Sequence, residues 1–306
     1  MKVFVTGASG WIGSALVPEL IGAGHRVVGL ARSDQSARLV EKMGAIPRRG
    51  DLTDTAGLAE AAAASDGVVH LAFQHDIAFG GDFASAARND RTAVEAMGAA
   101  LAGTGRPFVL ASGVFGLTPG HSVTERDGLA PSPSELESPL SGRHATALLT
   151  LSLFGVGVRP MVVRFAPTVH GEGDHGFMAA LVRIARQSGV SAFVGEGTNR
   201  WPAVYRFDAA RLVRIGLEKA PAASVLHAVG EEGVPFREIA RTIGTKLGVP
   251  TRSISPEAAL KQFSFLGNLV GLDSPASAAK TRDFLGWKPE GPGLIEDLEK
   301  GHYFQA

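Results

Sequence analysis

Short apolar runs alternate with stretches of helical periodicity along the first half of the chain. The runs are nearly continuous rather than alternating, which is typical of parallel strands buried on both faces. We predict strands over residues 3–6, 26–31, 46–49, 67–71, 107–111 and 161–165. We predict helices over residues 11–21, 35–43, 55–64, 84–102 and 144–154. This order predicts an α/β fold with a Rossmann-type, doubly wound parallel sheet.

The second half has a weaker pattern and suits a smaller domain. A strand over residues 225–228 is followed by helices over 236–247 and 256–263, with a basic connector over 249–254 between those helices. Asp208 is predicted to cap the helix that follows it. A chain of 306 residues fits one large domain with a smaller one attached.

Composition narrows the classes of partner. The net charge is zero, and nothing in the chain suggests nucleic acid or an anionic membrane as a partner, since both require clustered Lys and Arg. The absence of cysteine excludes disulfides and thiolate catalysis. The longest apolar-rich run, residues 145–158, is too short to span a bilayer, and the first residues do not resemble a signal peptide. We therefore expect a cytoplasmic protein.

The stretch TGASGWIG, residues 6–13, lies between the first strand and the first helix. Gly7 permits a tight turn, Gly10 lets the backbone approach a pyrophosphate, and Gly13 lets the helix pack closely on the strand. The amides of the helix start favour phosphate. We predict a dinucleotide site that also includes Ser9, Trp11 and Ile12.

The end of the second strand indicates which coenzyme binds. An NAD site places Asp or Glu there, whereas this chain has Arg32 followed by Ser33. An arginine can pair with a 2′-phosphate, so we predict NADPH. Asp34, two residues late, is the alternative that would favour NADH. Further cofactor contacts are predicted after the third and fourth strands, at Asp51, Leu52, Leu71, Ala72 and Phe73.

Six motifs occur in the order of the extended short-chain dehydrogenase/reductase family, which includes NAD(P)-dependent epimerases and dehydratases. They are TGASGWIG, RGDLTD, VVHLA, VLASGVFG, VRFAPTVHGEGD and AKTRDFLGWKP. The chain resembles that family over nearly its whole length. The resemblance implies a dinucleotide-binding domain over residues 1–165, with crossings back near 201–219. It implies a smaller substrate-binding lid over residues 166–200 and 220–306.

The family's chemistry is hydride transfer aided by a serine, a tyrosine and a lysine. The resemblance assigns the serine to Ser112. The tyrosine is missing, because the residues at its place, depending on register, are Pro139, Leu140 or Ser141. The residues at the lysine's place are Arg143, His144 or Ala145. Arg143 can hold a ribose hydroxyl there, but a guanidinium is not a useful proton donor.

His170 and Tyr205 are the predicted substitutes for the missing acid, with water as the alternative. The loop that contains His170 passes the nicotinamide in the family, so Pro167, Thr168 and Val169 are expected at the cofactor. The two histidines of this loop do not predict a metal site, because a glycine-rich loop fixes no ligand geometry. The expected substrate contacts are Val114, Phe115, His175, Phe177, Arg200 and Trp201.

Three functions are compatible with these residues. We favour an NADPH-dependent reductase for a small, apolar carbonyl or imine, because an iminium needs no proton donor when hydride arrives. A non-catalytic NADP(H)-binding sensor or scaffold is the alternative. A nucleotide-sugar epimerase or dehydratase fits less well without the tyrosine. The family resemblance also implies a homodimer formed through the helices over residues 84–102 and 145–154.

Overall fold

The computed structural model of the protein describes residues 1–115, 117, 121–129 and 141–305. Seven parallel strands form the central sheet: β1 (Lys2–Thr6), β2 (Arg26–Ala31), β3 (Ile46–Arg49), β4 (Gly67–His70), β5 (Pro107–Gly113), β6 (Arg159–Phe165) and β10 (Ser224–Ala228). Their order across the sheet is β10-β6-β5-β4-β1-β2-β3. This arrangement confirms the predicted Rossmann-type α/β fold.

Helices cover both faces of this sheet. Those between its strands are α1 (Gly13–Gly22), α2 (Asp34–Lys42), α3 (Thr55–Ala63), α4 (His75–Phe79), α5 (Phe83–Leu101) and α6 (Ser141–Ser152). Helix α1 begins at Gly13 rather than at residue 11, because the preceding residues form the glycine-rich turn. Helix α4 was not predicted, since five residues are too few to show helical periodicity.

Two apolar clusters hold these layers together. Leu16 and Leu20 of α1 pack with Val3 and Val5 of β1 on one face. On the other face, Phe4 of β1 packs with apolar residues of α3, α5 and α6. Successive residues of β1 thus enter opposite clusters, which explains why the strand has no polar position in its centre.

A third cluster belongs to the smaller part of the molecule. Its strands are β7 (Thr168–His170), β8 (Ser191–Val194), β9 (Arg200–Tyr205), β11 (Glu231–Pro235) and β12 (Thr251–Ile254). Its helices are α7 (Phe177–Ser188), α9 (Phe236–Leu247), α10 (Pro256–Phe263) and α12 (Leu294–Glu299), whereas Leu285 of α11 (Ala279–Leu285) packs against the cluster of the large sheet. Trp201 lies in this third cluster. The predicted division into two domains and its boundaries stay a prediction.

The chain crosses back to the large sheet through α8 (Arg206–Lys219), whose residues Leu212 and Val213 enter the same cluster as α1. Two local predictions were wrong. Asp208 lies inside the first turn of α8, where it is buried and accepts backbone N–H groups of Glu290 and Gly291. The expected connector contains β12, which pairs with β8. Of the helices described, none is long and apolar enough to cross a membrane.

Candidate active site

The glycine-rich turn brings β1, α1 and the end of β4 into close contact. Gly7 has φ +68°, and a β-carbon there would lie 2.8 Å from the Ala72 nitrogen. A β-carbon at Gly13 would overlap the Gly7 carbonyl oxygen. Gly10 is exposed, and the crowding around it is milder, with the Gly7 oxygen 3.1 Å from a β-carbon built there. Gly7 and Gly13 therefore serve packing, while Gly10 leaves room for a ligand.

The start of α1 is open toward solvent. Within the described parts of the chain, no side chain caps this helix, and its first turn contains no acidic residue. Ser9 and Ile12 are half-buried beside exposed Gly10. The amides of Ser14 and Ala15 donate to the carbonyls of Gly10 and Ile12, so it is the positive end of the helix dipole that makes this start suitable for a pyrophosphate.

Trp11 connects this turn to the segment after β6. Its indole Nε1 donates to the Val169 carbonyl at 2.7 Å. The Arg206 guanidinium lies 4.1 Å from the centre of the Trp11 ring and donates to the Ser14 hydroxyl at 2.7 Å. Arg206 was not selected by the sequence analysis, because its partners are almost two hundred residues away in the chain. Burial lowers the pKa of this arginine.

The residues after β2 carry the charges that bear on coenzyme choice. The Arg32 side chain is 69% exposed and pairs with the carboxylate of Asp76 at 3.1 Å. Ser33 caps α2 by accepting the amide of Ser36. Asp34, the alternative selectivity residue, is the first residue of α2 and pairs with Arg49 at 3.2 Å. Both ion pairs lie at the surface, where the Asp34 side chain is 83% exposed, so either charged group is accessible to a ligand at the edge of the sheet.

Asp51 and Leu52 follow β3. The Asp51 carboxylate accepts the amide and hydroxyl of Thr53, and these hydrogen bonds lower its pKa. Leu52 is buried in the apolar cluster beneath. After β4, Leu71 is half-buried and the Ala72 amide donates to the hydroxyl of Thr6 at 3.2 Å.

Arg143, at the start of α6, is fixed against the ends of β4 and β5. Its guanidinium carbon lies 4.1 Å from the centre of the Phe73 ring, and Nη2 donates to the Ala111 carbonyl at 2.7 Å. Burial lowers the pKa of Arg143, and the Asp90 carboxylate opposes that shift. Of the residues expected at the place of the tyrosine, Pro139 and Leu140 lie outside the described residues, and Ser141 begins α6.

A histidine that the sequence did not single out belongs to the same group. The His75 ring packs edge-on against Phe73, with ring centres 5.1 Å apart. Burial and the positive charge of Arg143 lower the pKa of His75, while Asp76 and Asp90 raise it. Arg143 and His75 thus flank one aromatic ring at the carboxyl edge of the sheet. We call Phe73, His75, Asp90 and Arg143 the edge cluster.

Asp90 is anchored by a chain of buried polar groups. Its carboxylate lies 3.1 Å from Nε2 of His70, and Nδ1 of that ring lies 2.6 Å from the Thr6 hydroxyl. All three side chains are buried. A carboxylate held beneath Arg143 stabilises positive charge at this edge of the sheet.

Ser112 lies near the carboxyl end of β5. It is in register with Arg164 of β6, and Arg164 is in register with His227 of β10. Side chains in register on neighbouring parallel strands point to the same face. Arg164 donates to the Asp127 carbonyl at 2.7 Å, and burial lowers its pKa to about 10. Ser112 itself is half-buried. It directly follows Ala111, whose carbonyl binds Arg143.

His170 and Tyr205 lie in a different environment. They are register partners on β7 and β9, with ring centres 5.8 Å apart. His170 is buried, and its Nδ1 lies 3.0 Å from the carboxylate of Asp297. Burial raises the pKa of Tyr205. No hydrogen bond, ion pair or ring contact in the described part joins either residue to Ser112 or Arg143.

The other residues of the loop after β6 are mostly tied to their own surroundings. The Thr168 hydroxyl donates to the Pro202 carbonyl at 2.5 Å, while Pro167 and Val169 are half-buried. His175 is exposed and packs edge-on against Trp11, with ring centres 5.7 Å apart. The loop thus contacts the glycine-rich turn through Trp11, but its histidine side chains do not join the edge cluster.

The predicted substrate residues separate into an aromatic group and an ion pair. Trp201 is fully buried and contacts Phe115 and Phe177, with ring centres 5.4 and 5.9 Å away. Those two phenylalanines are half-buried, so they, rather than Trp201, retain surface for a ligand. Val114 is also fully buried. Arg200 makes two side-chain hydrogen bonds to Asp273, at 3.0 and 2.8 Å.

Sequence comparison identifies relatives that match most or nearly all of this chain. The chain is 42% identical over 305 residues to an uncharacterized protein of Schizosaccharomyces pombe, covering 99% of this chain and 100% of that protein. It is 28% identical over 270 residues to a 2-alkyl-3-oxoalkanoate reductase of Stenotrophomonas maltophilia, covering 82% of this chain and 77% of that enzyme.

A solved structure with the same fold is the UDP-glucose 4-epimerase of Thermotoga maritima, crystallised with UDP-glucose. It has a TM-score of 0.77 at 20% identity and covers 99% of this chain and 98% of that one. Residues 3–227 match the NAD dependent epimerase/dehydratase family. This match confirms the expected class, an NAD(P)-dependent oxidoreductase-like protein. The protein belongs to the NAD dependent epimerase/dehydratase family.

Proposed function

We propose that the protein is an NADPH-dependent reductase that transfers hydride to a small, apolar carbonyl or imine. The observation that carries this proposal is the position of Arg143, which stacks on Phe73 and bonds to the carbonyl before Ser112. A fixed cation and a hydroxyl at the carboxyl edge of a doubly wound sheet suit a reacting carbonyl there.

NADPH is favoured over NADH by the charges after β2 and β3. Arg32 is exposed, and its ion pair with Asp76 is at the surface, where such pairs contribute about 0–1 kcal/mol. A 2′-phosphate can therefore replace Asp76 as its partner at little cost. Asp34, which would favour the ribose hydroxyl of NADH, lies two residues further on, and its partner Arg49 adds a second guanidinium near this end of the sheet.

The coenzyme, when bound, supplies the hydride and carries the nicotinamide ribose. The Ser112 hydroxyl donates a hydrogen bond to the substrate oxygen and orients the carbonyl carbon. The Arg143 guanidinium stabilises negative charge that develops on that oxygen and holds a ribose hydroxyl. It remains charged throughout, because even with its lowered pKa it is the partner of Asp90.

The walls expected around the substrate are aromatic. Phe73, Phe115 and Phe177 are half-buried and retain exposed surface. The Stenotrophomonas relative is named as a reductase of an alkyl-substituted 3-oxoalkanoate, an apolar ketone with a carboxylate. Both observations favour a keto substrate with an apolar chain over a sugar nucleotide.

A sensor or scaffold that binds NADP(H) without turnover is the second candidate. One observation favours it: among the described residues, His170 and Tyr205, the two acids predicted from the sequence, do not contact Ser112 or Arg143. The presence or absence of turnover separates the two candidates. A homodimer formed through α5 and α6, and a cytoplasmic location, stay predictions for both.

The decisive experiment measures loss of NADPH absorbance with a panel of aldehydes, 3-oxoacids, apolar ketones and cyclic imines. We expect turnover with at least one panel member and a lower KM for NADPH than for NADH. Ser112→Ala should lower kcat for ketones about 10²–10³-fold, as loss of one oxyanion donor does. Tight NADPH binding by calorimetry with no turnover across the panel would support the sensor instead.

A further inference from the structure

We propose that His75 donates the proton to the substrate oxygen, in place of the missing tyrosine. The inference rests on the proposed reductase function. It concerns a residue that neither the family resemblance nor the sequence pattern selected, and it replaces both His170 and Tyr205 in that role.

The first support is position. His75 begins α4, directly after the segment that follows β4, and its ring contacts Phe73. Phe73 also carries the Arg143 guanidinium, which is bonded to Ala111 beside Ser112. One aromatic ring therefore connects an imidazole to the cation and hydroxyl that are proposed to hold the substrate oxygen.

The second support is access. The His75 residue is exposed overall, although neighbouring atoms bury its imidazole enough to lower its pKa, whereas His170 is 1% exposed. Tyr205 packs against Gly291, where any β-carbon would overlap its ring. A proton donor must reach the reacting oxygen within about 3 Å or through one water. Of these three residues, His75 is the one whose ring contacts Phe73, the residue that carries the Arg143 guanidinium.

The third support is electrostatic. Arg143 disfavours the imidazolium form of His75, while Asp76 and Asp90 favour it. As negative charge grows on the substrate oxygen, it is attracted to the nearby imidazolium and strengthens the hydrogen bond along which the proton moves. The lowered pKa makes the imidazolium a stronger acid than a free histidine.

The step balances as follows. The reduced nicotinamide gives hydride, with two electrons, to the carbonyl carbon and becomes the oxidised coenzyme. The carbonyl π pair moves to oxygen, which takes a proton from the imidazolium of His75 and becomes an alcohol. The neutral imidazole then regains a proton from solvent. An iminium substrate receives only the hydride and needs no proton from His75.

This difference between substrates provides the test. We expect His75→Gln to lower kcat for the best ketone about 100-fold or more, the usual contribution of general acid catalysis. The same variant should reduce a preformed iminium at the wild-type rate, within about twofold, and should bind NADPH as tightly in calorimetry. His25→Gln, at the turn between α1 and β2 on the opposite edge, is the matched control and should retain both activities.

The pH profile gives a second readout. Ketone reduction by the wild type should fall tenfold per pH unit above the lowered pKa of His75, because only the imidazolium donates. Within the part of the chain that the structure describes, the charged groups that act on His75 are Arg143, Asp76 and Asp90. His170→Gln and Tyr205→Phe should keep this slope, whereas His75→Gln should flatten it.

A third measurement does not require turnover. In protein labelled with ¹⁵N-histidine, the signal absent from His75→Gln identifies this ring, and we expect it to shift when NADP⁺ is added. The inference alone is overturned if wild type reduces ketones but His75→Gln keeps its rate and pH slope, or if NADP⁺ binds without moving the signal. If NADPH does not bind at all, the proposed function fails and takes the inference with it.

Discussion

Arg32 follows β2, and its guanidinium is exposed and forms an ion pair with the carboxylate of Asp76 on α4. Because both side chains are exposed, this pair adds little to folding, and the arginine is available to a ligand. The position follows from the register of β2 against β3, which places Ala31 opposite Arg49. Two guanidinium groups therefore lie near the same end of the sheet.

We expect Arg32→Ala to weaken NADPH binding about 10–100-fold, the value of one charge-assisted hydrogen bond of roughly 1.5–3 kcal/mol. NADH binding should change by less than about twofold, since NADH has no 2′-phosphate. Calorimetric titration with both coenzymes measures the effect. Arg252→Ala, an exposed arginine on β12, is the control for a general loss of positive charge. Equal weakening for both coenzymes would contradict the assigned role.

The residues of the candidate site differ in how well the sequence revealed them. Gly7, Gly13 and Ser112 have local signals, a spacing of glycines or a place at a strand end. His75, Asp90 and Arg206 have none, because their partners lie far away in sequence, as the Arg206–Ser14 bond shows. Their importance arises from packing between elements, which hydrophobic periodicity does not encode.

At the scale of elements, the β1–α1 unit depends on two glycines for its shape. Gly13, the first residue of α1, lies against the Gly7 carbonyl and the Ala8 backbone. Backbone atoms cannot rotate away as a side chain can, so an added methyl group must displace the helix from the strand. Gly22, at the other end of the same helix, has nothing within 4 Å of an added β-carbon.

These two glycines form a matched pair for mutation. Gly13→Ala should destabilise the protein by about 1–3 kcal/mol and abolish NADPH binding, because the phosphate loop moves with the helix. Gly22→Ala should be neutral or stabilise by up to about 1 kcal/mol, through the higher helix propensity of alanine. Urea unfolding and coenzyme titration of both variants measure these effects. Similar behaviour of the two would refute the crowding argument.

Element positions were predicted well where periodicity is long and uninterrupted. Strand β2 and helices α9 and α10 have the predicted bounds, and so does β3 with only four residues. The missed elements are α4, of five residues, and β12, of four residues, whose pairing partner β8 lies far away in sequence. Short elements carry too few positions to reveal a period.

At the scale of the whole molecule, His227 joins the large sheet to the C-terminal segment. Its backbone amide donates to the Thr281 hydroxyl, and its Nδ1–H donates to the Ser277 carbonyl, both at 2.8 Å. Burial lowers the pKa of His227 to about 4. The folded protein therefore holds this histidine neutral at pH values where the unfolded chain, with a pKa near 6.5, takes up a proton.

Stability should accordingly fall with acidification between pH 6.5 and pH 4, since the unfolded state binds the extra proton in that window. From pH 7 to pH 5, His227 should account for a loss of about 2 kcal/mol in the free energy of unfolding. His227→Asn, which keeps a donor for Ser277, should show a shallower decline in urea unfolding. His121→Gln, at an exposed histidine, should decline as the wild type does. An unchanged slope in His227→Asn would disprove the assignment.

The sequence by itself determined the layered α/β fold and the glycine-rich turn at the start of α1, because both depend on local periodicity and on backbone freedom at named positions. Only the tertiary structure decided which titratable groups share the carboxyl edge of the sheet. The position of His170 in its loop predicted a proton donor, but β7 directs this side chain toward Asp297. The short helix α4 places His75 against Phe73, which also contacts Arg143. Strand register and helix packing fix such neighbours, and neither can be read from spacing along the chain.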